Sequence, residues 1–383
     1  MKKILTIGGA TQDIFIEYKN SQLMQIQDSH GQRKFLLLEQ GAKIEVKHLH
    51  YATGGGATNS AEAFLKLGQI VSSIFKVGDD EAGKFIIEKL KKSGINIESV
   101  IIAKDQPSGV SFIIPSVNGN RTIFTFRGAN STLNFAEIDN GKKIEQSDCL
   151  YITSLTGDSA NVLLPVCNLA KKHGALVACN PGTSQLKENV NIFLESLKNI
   201  DVLLLNSKEA RILMSEFLKS ELLKKPDIKK IKESAKYAEK DAPQLLKELL
   251  FHQEHCFSVS EFFNIVLSHG PKIIVVTNGS EGVYVATKEC MYFHKSLPTK
   301  VISTVGAGDA FGSTFISILI DHFDKDFDKI CSEKIVGQAI ISGLINSASV
   351  ISAFDAKTGL LNLDQLKSKL NEIGLSDLQK FSY

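Results

Sequence analysis

The 383-residue sequence lacks tryptophan and has only four methionines, but neither scarcity excludes a class of protein. The absence of a Cys-x-x-Cys pair is more informative. Several cysteines lie in apolar, strand-like runs, and the six are spread widely along the chain, at Cys149, Cys167, Cys179, Cys256, Cys290 and Cys331. This pattern favours reduced, buried thiols of a cytosolic protein over a disulfide framework or a zinc site.

The sequence also lacks an excess of charge of one sign. Its 44 Lys and Arg residues nearly balance 42 Asp and Glu residues, which leaves a net charge of +2. Proteins that bind nucleic acid through its phosphates carry a concentrated basic surface, so we expect no nucleic-acid partner. A hydrophobic content of 43% and a charged content of 22% are typical of a globular protein with a large core.

Long hydrophobic runs are missing as well. The apolar run at the N-terminus stops after Ile7, which is too short for the core of a signal peptide and is typical of a first buried strand. No other run approaches the length needed to span a membrane. We therefore expect a soluble, cytoplasmic protein without a membrane partner.

What the sequence does contain is a glycine-flanked turn that leads into an apolar helix, Ser303–Phe315. Gly306 and Gly308 allow the backbone to approach a ligand closely. The unpaired N–H groups and the dipole of a helix N-terminus attract anions. Asp309 at the same place is either an ordinary helix cap or a general base that takes a proton near a phosphate. Its position alone does not distinguish the two.

Strands and helices alternate regularly from residue 150 onward. The predicted strands are Leu150–Thr153, Leu176–Cys179, Val202–Leu205, Ile273–Thr277 and Gly282–Ala286. Such alternation predicts a mostly parallel sheet with helices on both faces, in which ligands bind at the carboxyl ends of the strands. Polar or glycine-rich segments follow several strands, namely Asp13, Asn180, Asn206, Thr277 and the Gly306 turn. Their common position indicates a single binding site.

Three segments of the chain do not fit an alternation of strands and helices. Residues 14–50 form a polar, turn-rich excursion, and residues 109–127 contain the hairpin signal Asn118-Gly119-Asn120. Residues 215–257 are dense in Lys and Glu, with leucines spaced for amphipathic helices. We interpret them as an inserted surface helical element, whose charges form a solvated face or, less favoured, a partner-binding face.

Four motifs together resemble the ribokinase-like, or PfkB-type, family of sugar and nucleoside kinases, and the resemblance covers nearly the whole chain. The family's Asp-Thr-x-Gly-Ala-Gly-Asp signature is similar to Thr304–Asp309, and its glycine-rich head signature to Gly54–Asn59. Its Asn-x-x-Glu motif is similar to Asn206–Glu209, and its Thr-x-Gly-x-x-Gly strand to Thr277–Gly282. Each motif is weak alone, but their order and spacing are specific.

The resemblance implies a single ribokinase-like α/β domain over residues 1–383, with a mostly parallel sheet and a small β lid. The lid would comprise residues 14–50 and 109–127, would cover the substrate and could pair two subunits as a homodimer. It also implies an ATP- and Mg²⁺-dependent kinase, in which Asp309 accepts the proton of the acceptor hydroxyl. The backbone N–H groups of Gly306, Ala307 and Gly308 would form the anion hole.

The remaining roles are implied in the same way. The substrate contacts would be Asp13, Gly54, Gly55, Asn59 and Arg127. The nucleotide contacts would be Asn206, Thr277, Gly279, Gly282 and Asn346. Glu209, with Asn206, would organise Mg²⁺. The alternative for this pair is a capping box, since Asn-x-x-Glu has the same spacing.

Two departures from the family pattern bear on the substrate and the ions. Ser303 replaces an Asp associated with a monovalent cation, so we expect K⁺ to change activity little, unless Asp355 supplies the charge. Gly56 stands where ribokinases carry Lys, which argues against ribose. We favour a small sugar over a nucleoside as the substrate. A non-catalytic regulator on the same fold is the third alternative.

Overall fold

The computed structural model describes residues 1–17, 22–28, 31–115, 121–138, 141–219, 243–247, 250–252, 255–374 and 377–382. The strands, in chain order, are β1 (Lys3–Ile7), β2 (Thr11–Ile16), β3 (Gln22–Asp28), β4 (Gly31–Leu37), β5 (Leu49–Gly54), β6 (Ile70–Ile74), β7 (Lys76–Gly78), β8 (Ile101–Ala103), β9 (Gly109–Pro115), β10 (Arg121–Phe126), β11 (Cys149–Ile152), β12 (Leu176–Cys179), β13 (Val202–Asn206), β14 (Leu250–His252), β15 (His255–Phe257), β16 (Ile273–Thr277), β17 (Val283–Ala286), β18 (Met291–His294) and β19 (Gln379–Phe381).

The helices are numbered in the same way. In chain order they are α1 (Gly56–Lys66), α2 (Glu81–Ser93), α3 (Lys142–Glu145), α4 (Leu163–Lys172), α5 (Thr183–Glu188), α6 (Val190–Ser196), α7 (Ser207–Lys219), α8 (Gln244–Lys247), α9 (Val259–Ser268), α10 (Ala307–His322), α11 (Phe327–Cys331), α12 (Glu333–Ile351) and α13 (Leu363–Ile373).

A nine-stranded sheet forms the centre of the protein, in the order β19-β18-β17-β16-β13-β12-β11-β1-β6. The strands from β6 to β16 in this order pair in parallel, and β17, β18 and β19 are added antiparallel. This arrangement confirms the predicted mostly parallel sheet. It also brings the carboxyl ends of the parallel strands to one edge, where the site is expected.

Both faces of the sheet are covered, because alternate residues of the buried strands enter two separate cores. In β11, Leu150 and Ile152 belong to one core, while Cys149 and Tyr151 belong to the other. Strands that are apolar on both faces are typical of a parallel sheet between helical layers. The free cysteines found among the described residues include Cys149, Cys167 and Cys179, which are buried as predicted.

The sequence predicted that no apolar run is long enough to span a membrane, but helix α12 is long enough. Its 19 residues have a mean hydropathy of 1.3, which satisfies that criterion by length and composition. However, 67% of the helix is buried within the protein. Its Gly343 lies against Phe311 of α10, so its apolar character is explained by packing between two core helices.

A separate four-stranded sheet, in the order β10-β9-β2-β5, contains strands from both segments predicted to form the lid, and we call it the lid. Strand β2 starts at Thr11 and β5 ends at Gly54, so the lid strands extend beyond the predicted segments at both of these ends. One face of the lid is exposed and apolar: Tyr51, Phe112 and Phe124 are 44–53% exposed, and the register places Tyr51 and Phe112 beside Ile14 and Phe124 beside Phe112. The predicted turn at residues 118–120 lies outside the described residues.

Most of the predicted insertion, residues 220–242, also lies outside the described residues. Large apolar residues that flank it are buried in the main core and do not lie on the surface. Phe217 and Phe257 are fully buried, and Leu245 and Leu250 are 1% exposed. A surface helical insertion therefore stays a prediction for residues 220–242, whereas its flanks belong to the core.

We predict that Leu245→Ala lowers the free energy of unfolding by about 2–5 kcal/mol, because it leaves a cavity in the core. Chemical denaturation followed by circular dichroism measures this change. The matched control is Leu37→Ala, at a side chain that is 40% exposed, which should change stability by less than about 1 kcal/mol. An equal, small effect of both substitutions would show that the flank is not part of the core.

Candidate active site

The turn before α10 forms one wall of the site. Gly306 begins the helix in the left-handed conformation, with φ 77°, and its carbonyl accepts a hydrogen bond from the N–H of Ala310 at 2.8 Å. A side chain on Gly306 would collide with Ala356. A Cβ on Gly308 would meet no described atom within 4 Å, so this residue faces open space. The backbone N–H groups at the start of α10 are therefore accessible to an anion.

Asp309 lies in the first turn of α10, but its carboxylate does not cap that helix. The N-cap is Gly306, and Oδ2 of Asp309 instead accepts a hydrogen bond from Nδ2 of Asn59 at 2.8 Å. Burial raises the pKa of Asp309 to about 6, although the hydrogen bond from Asn59 and the charge of Lys357 lower it. A carboxylate that titrates close to neutral pH is suited to accept a proton.

The glycine-rich turn between β5 and α1 forms the opposite wall. Gly55 is the N-cap of α1, with φ 92°, and a side chain there would collide with the backbone of Gly9 and Ala10. At Gly54 an added Cβ would collide with the carboxylate of Asp13. This close packing brings Asp13, on β2, to the start of the helix that carries Asn59.

Asp13 is 7% exposed, and its Oδ1 accepts a hydrogen bond from the Thr11 hydroxyl at 2.7 Å. Burial raises its pKa, while hydrogen bonds from Thr11 and Ser111 and the charge of Lys357 lower it. The structure thus brings together four of the predicted residues, Asp13, Gly54, Asn59 and Asp309. Carboxylate and amide groups in this arrangement can bind the hydroxyls of a polar acceptor.

Two cavities adjoin this cluster. The smaller, of about 200 Å³, is lined by polar groups that include Asn180, Asn206, Glu209 and Asp309. The larger, of about 590 Å³, is mainly apolar and includes Thr277, Gly279 and Gly282 in its lining. The residues that line both are Thr277, Thr304, Ala307, Gly308 and Phe311. A large apolar cavity joined to a small polar one fits a nucleotide, with its base in the first and its phosphates in the second.

Asn206 and Glu209 form the capping box that was the alternative to their predicted role. The N–H of Asn206 donates to Oε2 of Glu209, and the N–H of Glu209 donates to Oδ1 of Asn206, each at 2.9 Å. Burial raises the pKa of Glu209. Both residues nevertheless line the smaller cavity, so capping of α7 and a role in the site are compatible.

The donor set of the smaller cavity fits Mg²⁺ only together with phosphate oxygens. Among the described residues there is no group of three or more His, Cys, Asp and Glu side chains that could hold a metal ion. The Glu209 carboxylate and the Asn206 amide are hard oxygen donors, which Mg²⁺ accepts alongside water and substrate phosphates. These two residues would therefore hold the ion from one side.

Two functional candidates were missed in the sequence. Arg121, the first residue of β10, donates to Oγ1 of Thr304 and lines the smaller cavity. Burial lowers the pKa of its guanidinium. Lys357, in the loop after α12, donates to Oγ1 of Thr53 at 2.5 Å and to Oγ1 of Thr58 at 3.3 Å. No local motif marks either residue, because each reaches the site only through the tertiary fold.

Two predicted contacts are not brought to the site. Arg127 is exposed just after β10 and lines neither cavity. Arg121, at the other end of the strand, lines the smaller cavity instead. Asn346 is fully buried, where its Nδ2 donates to Thr314 at 2.7 Å and its Oδ1 accepts from the N–H of Leu361 at 2.9 Å. Its polar atoms join α12 to its neighbours, and the next residue, Ser347, lines the larger cavity instead.

An α/β sheet with a glycine-rich anion site, a buried carboxylate and an adjoining nucleotide-sized cavity defines a phosphotransferase-type site. The sequence pattern of the pfkB family of carbohydrate kinases matches residues 23–332 of the chain. The ribokinase of Staphylococcus aureus (strain COL) is 26% identical over 303 residues, which are 78% of this chain and 86% of that protein.

Solved structures show the same fold. The fructokinase with bound ATP from Xylella fastidiosa has a TM-score of 0.72 at 15% identity, covering 97% of this chain and 98% of that chain. The ribokinase of Arabidopsis thaliana complexed with ribose and ATP has a TM-score of 0.69 at 18% identity, covering 96% and 98%. The ribokinase-like fold predicted from the sequence is therefore confirmed.

The match to residues 23–332 spans most of the chain, so the protein belongs to the pfkB family of carbohydrate kinases. It is a phosphotransferase that uses an alcohol group as the acceptor, as predicted from the four motifs.

We predict that Asn346→Ala lowers stability by about 1–3 kcal/mol, because buried donors and acceptors lose their partners. The KM for ATP should remain unchanged, since the side chain does not line the nucleotide-sized cavity. Thermal unfolding and steady-state kinetics measure the two quantities. A raised KM for ATP at unchanged stability would contradict this assignment.

Proposed function

We propose that the protein transfers the γ-phosphate of ATP to a hydroxyl group of a small sugar, with Asp309 as the general base. The observation that carries this proposal is the position of the Asp309 carboxylate. It lies at the wall of the polar cavity, next to the free N–H groups of α10, and it also contacts Asn59 of the opposite turn. A base at this point stands between the acceptor and the phosphoryl group.

Each part of the site has a defined task in this reaction. Asp13 and Asn59 hold the acceptor hydroxyls, and Asp309 takes the proton as the acceptor oxygen forms its bond to the γ-phosphorus. The bond from that phosphorus to the oxygen it shares with the β-phosphate breaks, and ADP leaves. The backbone N–H groups of residues 306–308 bind the phosphoryl oxygens, as an oxyanion hole does. Arg121, from the lid, adds a positive charge to the same cavity.

Mg²⁺, held through Glu209 and Asn206, supplies charge neutralisation of the phosphates. Bound in the larger cavity, the base of ATP contacts apolar side chains such as Leu344 and Ile351. This arrangement leaves the space between Asp13 and Asp309 for the acceptor, on the far side of the anion site from the base.

The lid favours a sugar over a nucleoside. A nucleoside needs a flat apolar slot for its base, and in the lid such a slot would require inward-facing aromatic side chains. Phe112, Phe124 and Phe126 are 44–54% exposed on the outer side of the lid. Phe15 faces inward, but it packs against Phe354, with ring centroids 4.9 Å apart. These side chains therefore serve the lid itself, and the acceptor contacts that remain are polar.

We predict that Asp309→Asn lowers kcat about 10²–10⁴-fold with the acceptor KM nearly unchanged, because the shape is kept and the proton acceptor is lost. The matched variant Asp13→Asn should mainly raise the acceptor KM. A screen of ATP consumption with fructose, ribose, 2-keto-3-deoxygluconate, adenosine and inosine identifies the acceptor for both measurements. Near-normal turnover by the Asp309→Asn variant would exclude Asp309 as the base.

The exposed apolar face of the lid supports a homodimer. Exposed, neighbouring aromatic side chains on one sheet face are typical of an interface. We predict that Phe112→Lys combined with Phe124→Lys converts a dimer into a monomer, measured by light scattering after size-exclusion chromatography. Ile102→Lys, at a side chain that is 54% exposed in β8, outside the lid sheet, is the matched control and should leave the mass unchanged. A monomeric unmodified protein would refute pairing through the lid.

A further inference from the structure

Lys357 is half-buried, and its ammonium group lies beside the candidate site. Its loop packs against the anion-site turn, because Ala356 occupies the space that a side chain on Gly306 would need. The ammonium extends from there to the opposite turn, where it donates to the hydroxyls of Thr53 and Thr58. Lys357 therefore lies where the two glycine-rich walls of the site meet.

Several charged groups face this ammonium from different elements. They are Glu62 on α1, Asp13 on β2, Asp355 in the same loop and Asp309 on α10, while His50 on β5 contacts Asp355 at 3.3 Å. Burial lowers the pKa of Lys357 to about 8, and the four carboxylates oppose this change. The group is thus mainly charged at neutral pH, although desolvation of an isolated ammonium is costly.

The ammonium in turn stabilises the charged forms of the Asp13 and Asp309 carboxylates. In addition to burial, repulsion from Asp13 raises the pKa of Asp309, whereas Lys357 lowers the pKa of both residues. Two buried carboxylates close together do not both ionise without a compensating positive charge. Lys357 is the cation that contributes to both, and Asp309 must be ionised to accept a proton.

A purely structural role is less consistent with the contacts. A second lysine already fastens the loop, since Nζ of Lys66 donates to the carbonyls of Lys357 and Leu360 at 3.4 and 3.2 Å. Asp355 closes the same loop by accepting the N–H groups of Lys357 and Thr358 at 2.9 and 2.7 Å. The loop is thus held without the side chain of Lys357.

We propose that Lys357 is an internal counter-cation that keeps Asp13 and Asp309 negatively charged together, in place of a free monovalent cation. It is a positioning residue, because it acts through Asp309 and rests on the proposed role of Asp309 as the base. Ser303 is consistent with this role: it brings no charge to the site, and its hydroxyl accepts the N–H of Val305 at 3.3 Å.

The pH dependence of kcat/KM follows from these charges. Asp309 must be ionised, so activity should rise as the pH increases through about 6. Lys357 loses its charge only as the pH increases through about 8, where Asp309 is already ionised, so this second titration should change activity little. Lys357→Met removes the positive charge at every pH. The acid limb should then move upward by about one pH unit, while activity above about pH 8 should change little.

The test measures kcat/KM against pH for the unmodified protein and for Lys357→Met, with K⁺ replaced by a bulky organic cation. We expect a loss of about twofold at pH 7 that grows to about tenfold at pH 5, as the shift of the acid limb requires. Lys357→Gln, which keeps a hydrogen-bond donor but no charge, carries the same test if the Met variant does not fold. An unchanged profile in the neutral variant would overturn the proposal.

Two further variants separate charge from packing. Lys66→Met removes the ammonium of α1 that donates to this loop and should change stability without moving the acid limb. Lys357→Ala leaves space for a small cation, and methylammonium or K⁺ should restore part of its activity, whereas neither should be needed by the unmodified protein. Equal shifts of the acid limb in Lys66→Met and Lys357→Met would assign the effect to loop structure.

A measurement without turnover distinguishes this proposal from the proposed function. Carbon-13 NMR of the aspartate carboxyl groups, assigned with Asp309→Asn, follows the ionisation of Asp309 in the absence of any substrate. Its titration should move to higher pH in Lys357→Met. If it does so but no acceptor is phosphorylated, the proposed function fails and the counter-cation is retained. If it does not move, the counter-cation fails even in an active kinase.

Discussion

Close contact between backbone segments is the constraint on which the site depends. Gly55 lies against Gly9 and Ala10, and Gly306 lies against Ala356, at positions where an added Cβ would collide. These contacts set the separation of the two helix N-termini that face each other across the site. The carboxylate of Asp309 can therefore accept from Asn59, and neither helix could retreat without breaking that bond. The chemistry relies on glycine for its geometry and on buried carboxylates for its charge.

Much of the fold could be predicted from the sequence, because its signals are local. Continuous apolar runs such as Cys149–Ile152 indicate buried parallel strands, and glycine-rich turns before helices indicate an anion site. Asp13, Asn59 and Asp309 follow such signals and lie together in the structure. Asn206 and Glu209 form the capping box and also line the cavity, so their role in holding Mg²⁺ stays a prediction.

The rest could not be predicted, because it depends on side-chain direction and distant contacts. Arg121 and Arg127 lie at opposite ends of one strand, and only the tertiary structure shows which one reaches the cavity. Asn346 and Ser347 are adjacent on α12 but point into the interior and into the cavity, respectively. Lys357 comes close to Asp13 although the two lie near opposite ends of the chain, and its loop has no motif. The many charged residues before Leu245 led to the prediction of a surface element, although Leu245 itself is buried.

The division of the site between lid and body has a consequence for the control of water. Asp13 on β2 and Arg121 on β10 belong to one four-stranded sheet, whereas Asn59 and Asp309 belong to the helical body. A displacement of that sheet would withdraw the proposed acceptor contact, Asp13, and the proposed phosphate contact, Arg121, in the same movement. Water could then enter the acceptor position only when Arg121 has also left the cavity. Such linkage would protect ATP from wasteful hydrolysis when no sugar is bound.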